Sequence, residues 1–144
     1  MFGHGDAPGS IMPKIMEAIE AQYRNNGVLV FYVGNRGNFD RMAAAAVKQM
    51  KQRIPEISLI LVLAYHPGER AVDLTDGFDG SYYPPLENVP RRYAIVKANQ
   101  HMIDTADSVI CYVNHVGNTR KLLEYTLRKQ KGSSLSVDNV ATDL

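Results

Sequence analysis

Continuous apolar runs alternate along this chain with stretches in which apolar residues recur every three or four positions. Residues 28–33 (VLVFYV), 57–64 (ISLILVLA) and 108–113 (SVICYV) are unbroken aliphatic, β-branched and aromatic runs. Runs apolar at every position suit strands covered on both faces, which points to parallel pairing. Between them lie helical patterns. Met12, Ile15, Ile19 and Tyr23 mark one helix face; Ala43, Val47, Met50 and Ile54 mark a second over 39–54. Ile95, Ala98 and Met102 mark a third reaching Thr105, and Leu122, Leu123 and Leu127 a fourth over 119–131. Boundary residues agree with these periods. Ser10 can cap the first helix with Pro13 in its first turn, Asn25, Asn26 and Gly27 end it, Pro55 stops the second, and Pro90 opens the third. A short strand end before His4 and another over 135–137 complete the pattern.

Strands alternating with helices predict a three-layer α/β sandwich of Rossmann-like topology, around a mainly parallel sheet of four to five strands. With 144 residues, one domain is expected over 1–138, with an irregular insert at 65–90 and a polar tail at 139–144. No internal repeat is read in the sequence. Sixteen Lys and Arg stand against 15 Asp and Glu, so there is no general electrostatic footprint for nucleic acid or an anionic membrane surface, and any anion recognition must be local. Cys111 is the single cysteine, which removes intrachain disulfides and cysteine-rich metal centres; inside a strand it reads as a small buried hydrophobe. No apolar run approaches the roughly 20 residues that span a bilayer, and no charged-then-apolar export signal opens the chain. A soluble, cytoplasmic protein is the expectation.

Candidate chemistry gathers where strands end. In an open parallel sheet ligands sit beyond the carboxyl ends of the strands. The loops there carry Gly3, His4 and Gly5; Gly34, Asn35, Arg36, Gly37 and Asn38; Tyr65; and Asn114, Gly117, Asn118 and Thr119. Gly34 and Gly37 allow a tight turn and close approach of a ligand, Asn38 occupies an N-cap position, and the helix start beside Arg36 makes a seat for phosphate. A Gly-x-x-Gly turn is also an ordinary strand-to-helix connection, and no Gly-Lys-Ser/Thr follows to make it a Walker A loop. His4 could donate to a phosphate or ribose oxygen or move a proton. His66 and His115 could join it at that edge, but their spacing suggests no metal site, and no cofactor is expected. Asp40 suits its helix start whatever the function. Arg91 and Arg92 open a helix, where cations are unfavourable, so one of them should meet an acid or a ligand. Arg120, Glu124 and Arg128 are spaced for pairing along a helix.

Four motifs in order, FGHGD at 2–6, YVGNRGNFDRM at 32–42, LAYHP at 63–67 and the long segment 91–132, resemble the small YpsA-like branch of the SLOG superfamily. The resemblance covers nearly the whole chain. It implies a Rossmann-like domain, related to DprA-type proteins and lonely-guy phosphoribohydrolases, that binds a nucleotide or nucleotide-derived ligand; Asn99 and Arg91 join the candidate contacts. The hydrolase signature is incomplete. Ala98 and Leu122 stand at the expected Arg and Glu positions. Glu124 lies about 200° around the helix from Leu122 and cannot simply substitute. Asp40 and Glu124 remain the candidate catalytic carboxylates. The first loop reads His4-Gly5 where relatives are expected to carry His-Arg.

The expected function is a sensor or regulatory module binding a nucleotide-type small molecule, with no membrane partner and no nucleic acid. The alternatives are an N-glycosidic-bond hydrolase acting on nucleoside monophosphates and an interaction protein with a vestigial pocket. The insert, carrying Val72, Leu74, Tyr82, Tyr83 and Leu86, is expected to close over the strand ends as a lid and to contribute to a homodimer.

Overall fold

The computed structural model describes residues 1–65 and 77–141. His66, Val72 and Leu74 lie outside the described residues. Ten regular elements follow one another: β1 (Phe2–Gly3), α1 (Met12–Asn26), β2 (Val30–Val33), α2 (Asn38–Arg53), β3 (Ser58–Val62), β4 (Gly80–Tyr82), α3 (Ala94–Thr105), β5 (Ser108–Tyr112), α4 (Asn118–Lys131) and β6 (Ser136–Asn139). Single 3-10 turns at Gly9–Ile11 and Arg91–Tyr93 lead into α1 and α3. Ser10 therefore lies in a turn and Ile11 holds the N-cap position of α1, while α3 starts at Ala94 after Pro90 has opened the turn.

Every described strand pair is parallel. Instead of one sheet of four to five strands, there are two of three, in the orders β1-β5-β6 and β2-β3-β4. The reason is the length of β1. With two residues it pairs with β5 through Phe2↔Cys111 and Gly3↔Tyr112 and meets β2 through a Met1 N to Tyr32 carbonyl hydrogen bond of 2.9 Å, too little for a ladder.

The third strand of the second sheet, β4, falls inside the stretch expected to be irregular. It has no apolar run to announce it, and polar anchors hold it. Asp79 accepts the Leu59 N–H at 2.7 Å through its carboxylate, donates its own N–H to the Leu59 carbonyl at 2.8 Å, and pairs with Lys51 at 2.5 Å. These bonds fix β4 beside β3, with Tyr82 on the sheet face rather than in a lid.

Helices cover both sides of the strands. On one side α1 and α2 bury Ile15, Ile19, Phe39, Val47 and Met50 against Phe31, Leu59 and Ile110. On the other, Leu122 and Leu123 of α4 and Ile103 of α3 pack with Phe2, Val109, Cys111 and Val113. Cys111 is fully buried and its thiol is pushed up to about 12 by that burial, so it is inert packing. On α4, Leu122 and Leu123 are buried as expected, but Thr126 takes the next inward position and Leu127 is 42% exposed. Thr126 can sit there because its hydroxyl donates to the Leu122 carbonyl at 2.8 Å. Val140, just past β6, is also buried. None of the described helices is long and apolar enough to cross a membrane.

Candidate functional site

Beyond the carboxyl ends of β1, β2 and β3 lies a cleft of about 400 Å³. Two strand-to-helix turns and α3 form its walls, and the two turns are conformational copies. Gly37 precedes α2 with φ 134° and ψ −168°; Gly117 precedes α4 with φ 141° and ψ −168°. Only glycine adopts such angles without strain. In both, the glycine carbonyl accepts the first helical bond, from Arg41 N at 3.1 Å and Lys121 N at 3.2 Å. Gly37 thus holds the cap position expected for Asn38, which is the first helical residue. The likeness is visible in the sequence once the turns are aligned, YVGNRGN from Tyr32 against YVNHVGN from Tyr112. This short repeat was missed because the two segments share only Tyr, Val, Gly and Asn.

The turns differ in how their N–H groups are used. At α2, the Asp40 carboxylate folds back to accept the Arg36 N–H at 2.8 Å, and the Gly5 carbonyl accepts the Asn38 N–H at 3.0 Å. Burial raises the Asp40 carboxyl above the usual range, against the opposing pull of that Arg36 N–H. The chain packs so closely here that a Cβ on Gly37 would meet Gly5 Cα at 2.6 Å. At α4, the equivalent of Asp40 is Arg120, so no carboxylate folds back into the turn, and a Cβ on Gly117 would have nothing within 4 Å; neither helix has a side-chain cap. The positive pole of α4 is open.

Of the residues expected to bind, Gly3, Gly5, Gly34, Asn35, Arg36, Asn99, Asn118 and Thr119 line the cleft, together with Asp40, Ala98 and Leu122. Sequence reasoning missed Lys121 and offered Arg92 only as an alternative to Arg91; both also line it, so three cationic residues and one carboxylate border the cleft in a chain of nearly neutral charge. Gly37 is spent on packing. Tyr65 and Arg91 line a neighbouring hollow, where the Arg36 and Arg91 guanidinium carbons lie 5.0 and 4.7 Å from the Tyr65 ring centre. Tyr83 lines that hollow as well. Tyr82 instead bonds His101 Nε2 at 2.9 Å and meets the Tyr32 ring edge-on. Glu124 is exposed on α4 and does not line the cleft. The two candidate carboxylates are therefore separated.

His4 is 3% exposed and acts behind the cleft. Its Nε2 accepts the N–H groups of Asn114 and His115 at 3.0 and 3.3 Å, and its main-chain N–H donates to the Tyr112 carbonyl at 3.1 Å. An imidazole that accepts at Nε2 is neutral with the proton on Nδ1. Burial and the neighbouring His115 lower its pKa, in keeping with that role. His115 stacks on it at 3.5 Å with planes 9° apart. Both nitrogens of His115 face acceptors, the Val116 carbonyl at 3.0 Å and Asp6 Oδ1 at 3.2 Å, and these raise its pKa. His4, Asp6 and His115 have the composition of a metal site. As stacked, however, the ring lone pairs lie in parallel planes, so one ion cannot meet both. The cluster is a clamp that holds the 114–118 turn to the β1 loop. Asn114 adds to it by donating its amide to Tyr112 Oη at 2.9 Å.

Comparison with protein-family models finds no match for this chain, and a search of curated proteins finds none either.

Proposed function

We propose that the cleft binds a nucleotide or nucleotide-derived ligand, with its phosphate at Gly117, Asn118 and Thr119. The observation that carries this reading is the contrast between the two turns: one is already filled by the chain's own Asp40 carboxylate, whereas its conformational copy is open and has Lys121 beside it. The α2 turn takes a carboxyl oxygen at its Arg36 N–H, and a copy of that turn without one supports an anion from outside at α4. Asp40 and Asn99 supply an acceptor and an amide for sugar hydroxyls in the same cleft. The resemblance to the YpsA-like branch of the SLOG superfamily points to the same ligand class. Ala98 and Leu122 line the cleft where that relationship would bring Arg and Glu, so a binding module is favoured over a phosphoribohydrolase.

Calorimetry with nucleoside monophosphates, ADP-ribose and the matching phosphate-free nucleosides tests this. Phosphate forms should bind, nucleosides should bind far more weakly, and Lys121→Glu should weaken binding by about tenfold through loss of one favourable charge and gain of a repulsive one. Equal response to nucleosides, or none to any phosphate ligand, refutes the assignment. Release of free base that Asp40→Asn abolishes would replace it with the hydrolase reading, Asp40 being the carboxylate within reach of the ligand.

A further inference from the structure

The turn that carries Gly117, Asn118 and Thr119 is not held by α4 alone. It is tied back to the β1 loop at Asn114 and His115, and both of those main-chain N–H groups end on a single atom, Nε2 of His4, at 3.0 and 3.3 Å. With Nδ1 already protonated, that atom is also where the ring takes a second proton. The two uses exclude each other. A proton on Nε2 aims a donor at two donors within a buried ring site, and such a contact is relieved only by parting the turn from the loop.

Among the described residues, the titratable and charged groups around this ring are Asp6 of its own loop, Tyr112 at the end of β5, His115 of the turn and Arg120 of α4. They set the order of events. His115 takes its proton first, since the Val116 carbonyl and Asp6 both favour its charged ring, and it keeps both bonds when charged. His4 takes its proton second, against desolvation, a charged ring stacked at 3.5 Å and Arg120, with Asp6 alone in its favour. The first proton strengthens the clamp by adding charge to the Asp6 bond, and the second undoes it.

We propose, on the phosphate reading of the α4 turn, that the clamp is an acid-opened latch: a proton on His4 Nε2 frees residues 114–118, disorders the seat at Gly117, Asn118 and Thr119, and releases the ligand. Below the ordinary histidine value of 6.5, each unit of pH shifts the latch toward its open form by up to about tenfold.

Calorimetry with adenosine monophosphate at about pH 7.5 and about pH 5.5, on the wild-type chain and on His4→Gln, tests the latch. The Gln oxygen accepts an N–H but takes no proton, and the nucleotide's own phosphate titration falls equally on both proteins. Wild type should lose at least about threefold more affinity than His4→Gln over that interval. In wild type, the Asn114 and His115 amide proton shifts followed by NMR should move with the midpoint of that extra loss. Parallel losses in the two proteins, or amide shifts that stay fixed through the interval, overturn the latch and leave the phosphate seat standing. Should His4→Gln fail to fold, the wild-type amide shifts decide alone. No binding of the nucleotide to wild type at either pH removes the seat itself, and the latch with it.

Discussion

The units β2-α2-β3 and β5-α4-β6, in different sheets, use the same backbone device at the carboxyl ends of their first strands, a Tyr-Val pair followed by a glycine with φ near 140° before a helix. Their surroundings set them apart. The first is locked: Phe39 is fully buried and its ring blocks any Cβ on Gly3 at 2.4 Å, Gly37 packs on Gly5, and Asp40 folds back onto the Arg36 N–H. The second carries Thr119 and Arg120 at the positions of Phe39 and Asp40, leaves Gly117 exposed, and is held by the imidazole clamp of His4 and His115. A common turn is thus a structural rivet in one place and is left open in the other, according to what the two residues after Gly-Asn contribute.

The largest test of that difference is Phe39→Ala, which should cost about 4 kcal/mol in denaturant unfolding because a fully buried aromatic leaves a cavity. Its counterpart Thr119→Ala should stay within about 0.5 kcal/mol. Comparable losses at both would mean that the second turn is as tightly built as the first.

Next come the glycines. Gly117→Ala carries a backbone penalty of about 2 kcal/mol, whereas Gly37→Ala adds a backbone clash and should reach about 4 kcal/mol. Equal values from the same unfolding experiment would remove packing as the distinction and leave conformation alone.

The clamp predicts a pH dependence. His4 has its pKa lowered in the fold, so the unfolded chain binds more protons as pH falls below the ordinary histidine value of 6.5; stability from His4 is present above 6.5 and is lost as pH drops through the window beneath it. His115 is raised, so its contribution is complete below 6.5 and fades as pH rises through its higher folded value. Together they place the clamp's best stability near 6.5. Unfolding curves across this range should flatten on the acid side in His4→Gln and on the alkaline side in His115→Gln. Identical profiles in wild type and both variants would mean the rings do not clamp the turn.

The smallest effect is at Asp40. Its carboxyl is raised by burial, so the ionised form opposes folding above the carboxylate range, and that cost vanishes as pH falls below the unfolded pKa. Asp40→Asn keeps an oxygen for the Arg36 N–H and removes the buried charge. It should therefore stabilise the fold slightly at neutral pH and make no difference in acid; destabilisation at pH 7 would show that the carboxylate's charge itself holds the turn.

The sequence alone determined the succession of strands and helices, their parallel character, and the positions of the strand-end turns, because periodicity and glycine placement act over a few residues. Four helices stand close to where apolar spacing placed them, and Gly34, Asn35, Arg36, Asn118 and Thr119 meet around one cleft. Short elements escaped it. β4 is fixed by Asp79 reaching to Leu59 and Lys51, and the split into two sheets follows from where a two-residue β1 ends between two longer neighbours. Tertiary packing also decided the chemistry of each turn. Whether a helix N-terminus is free depends on which distant groups reach it: Gly5 reaches the start of α2, whereas His4 stops at the Asn114 and His115 N–H groups ahead of α4, and such meetings across the fold leave no period in the chain.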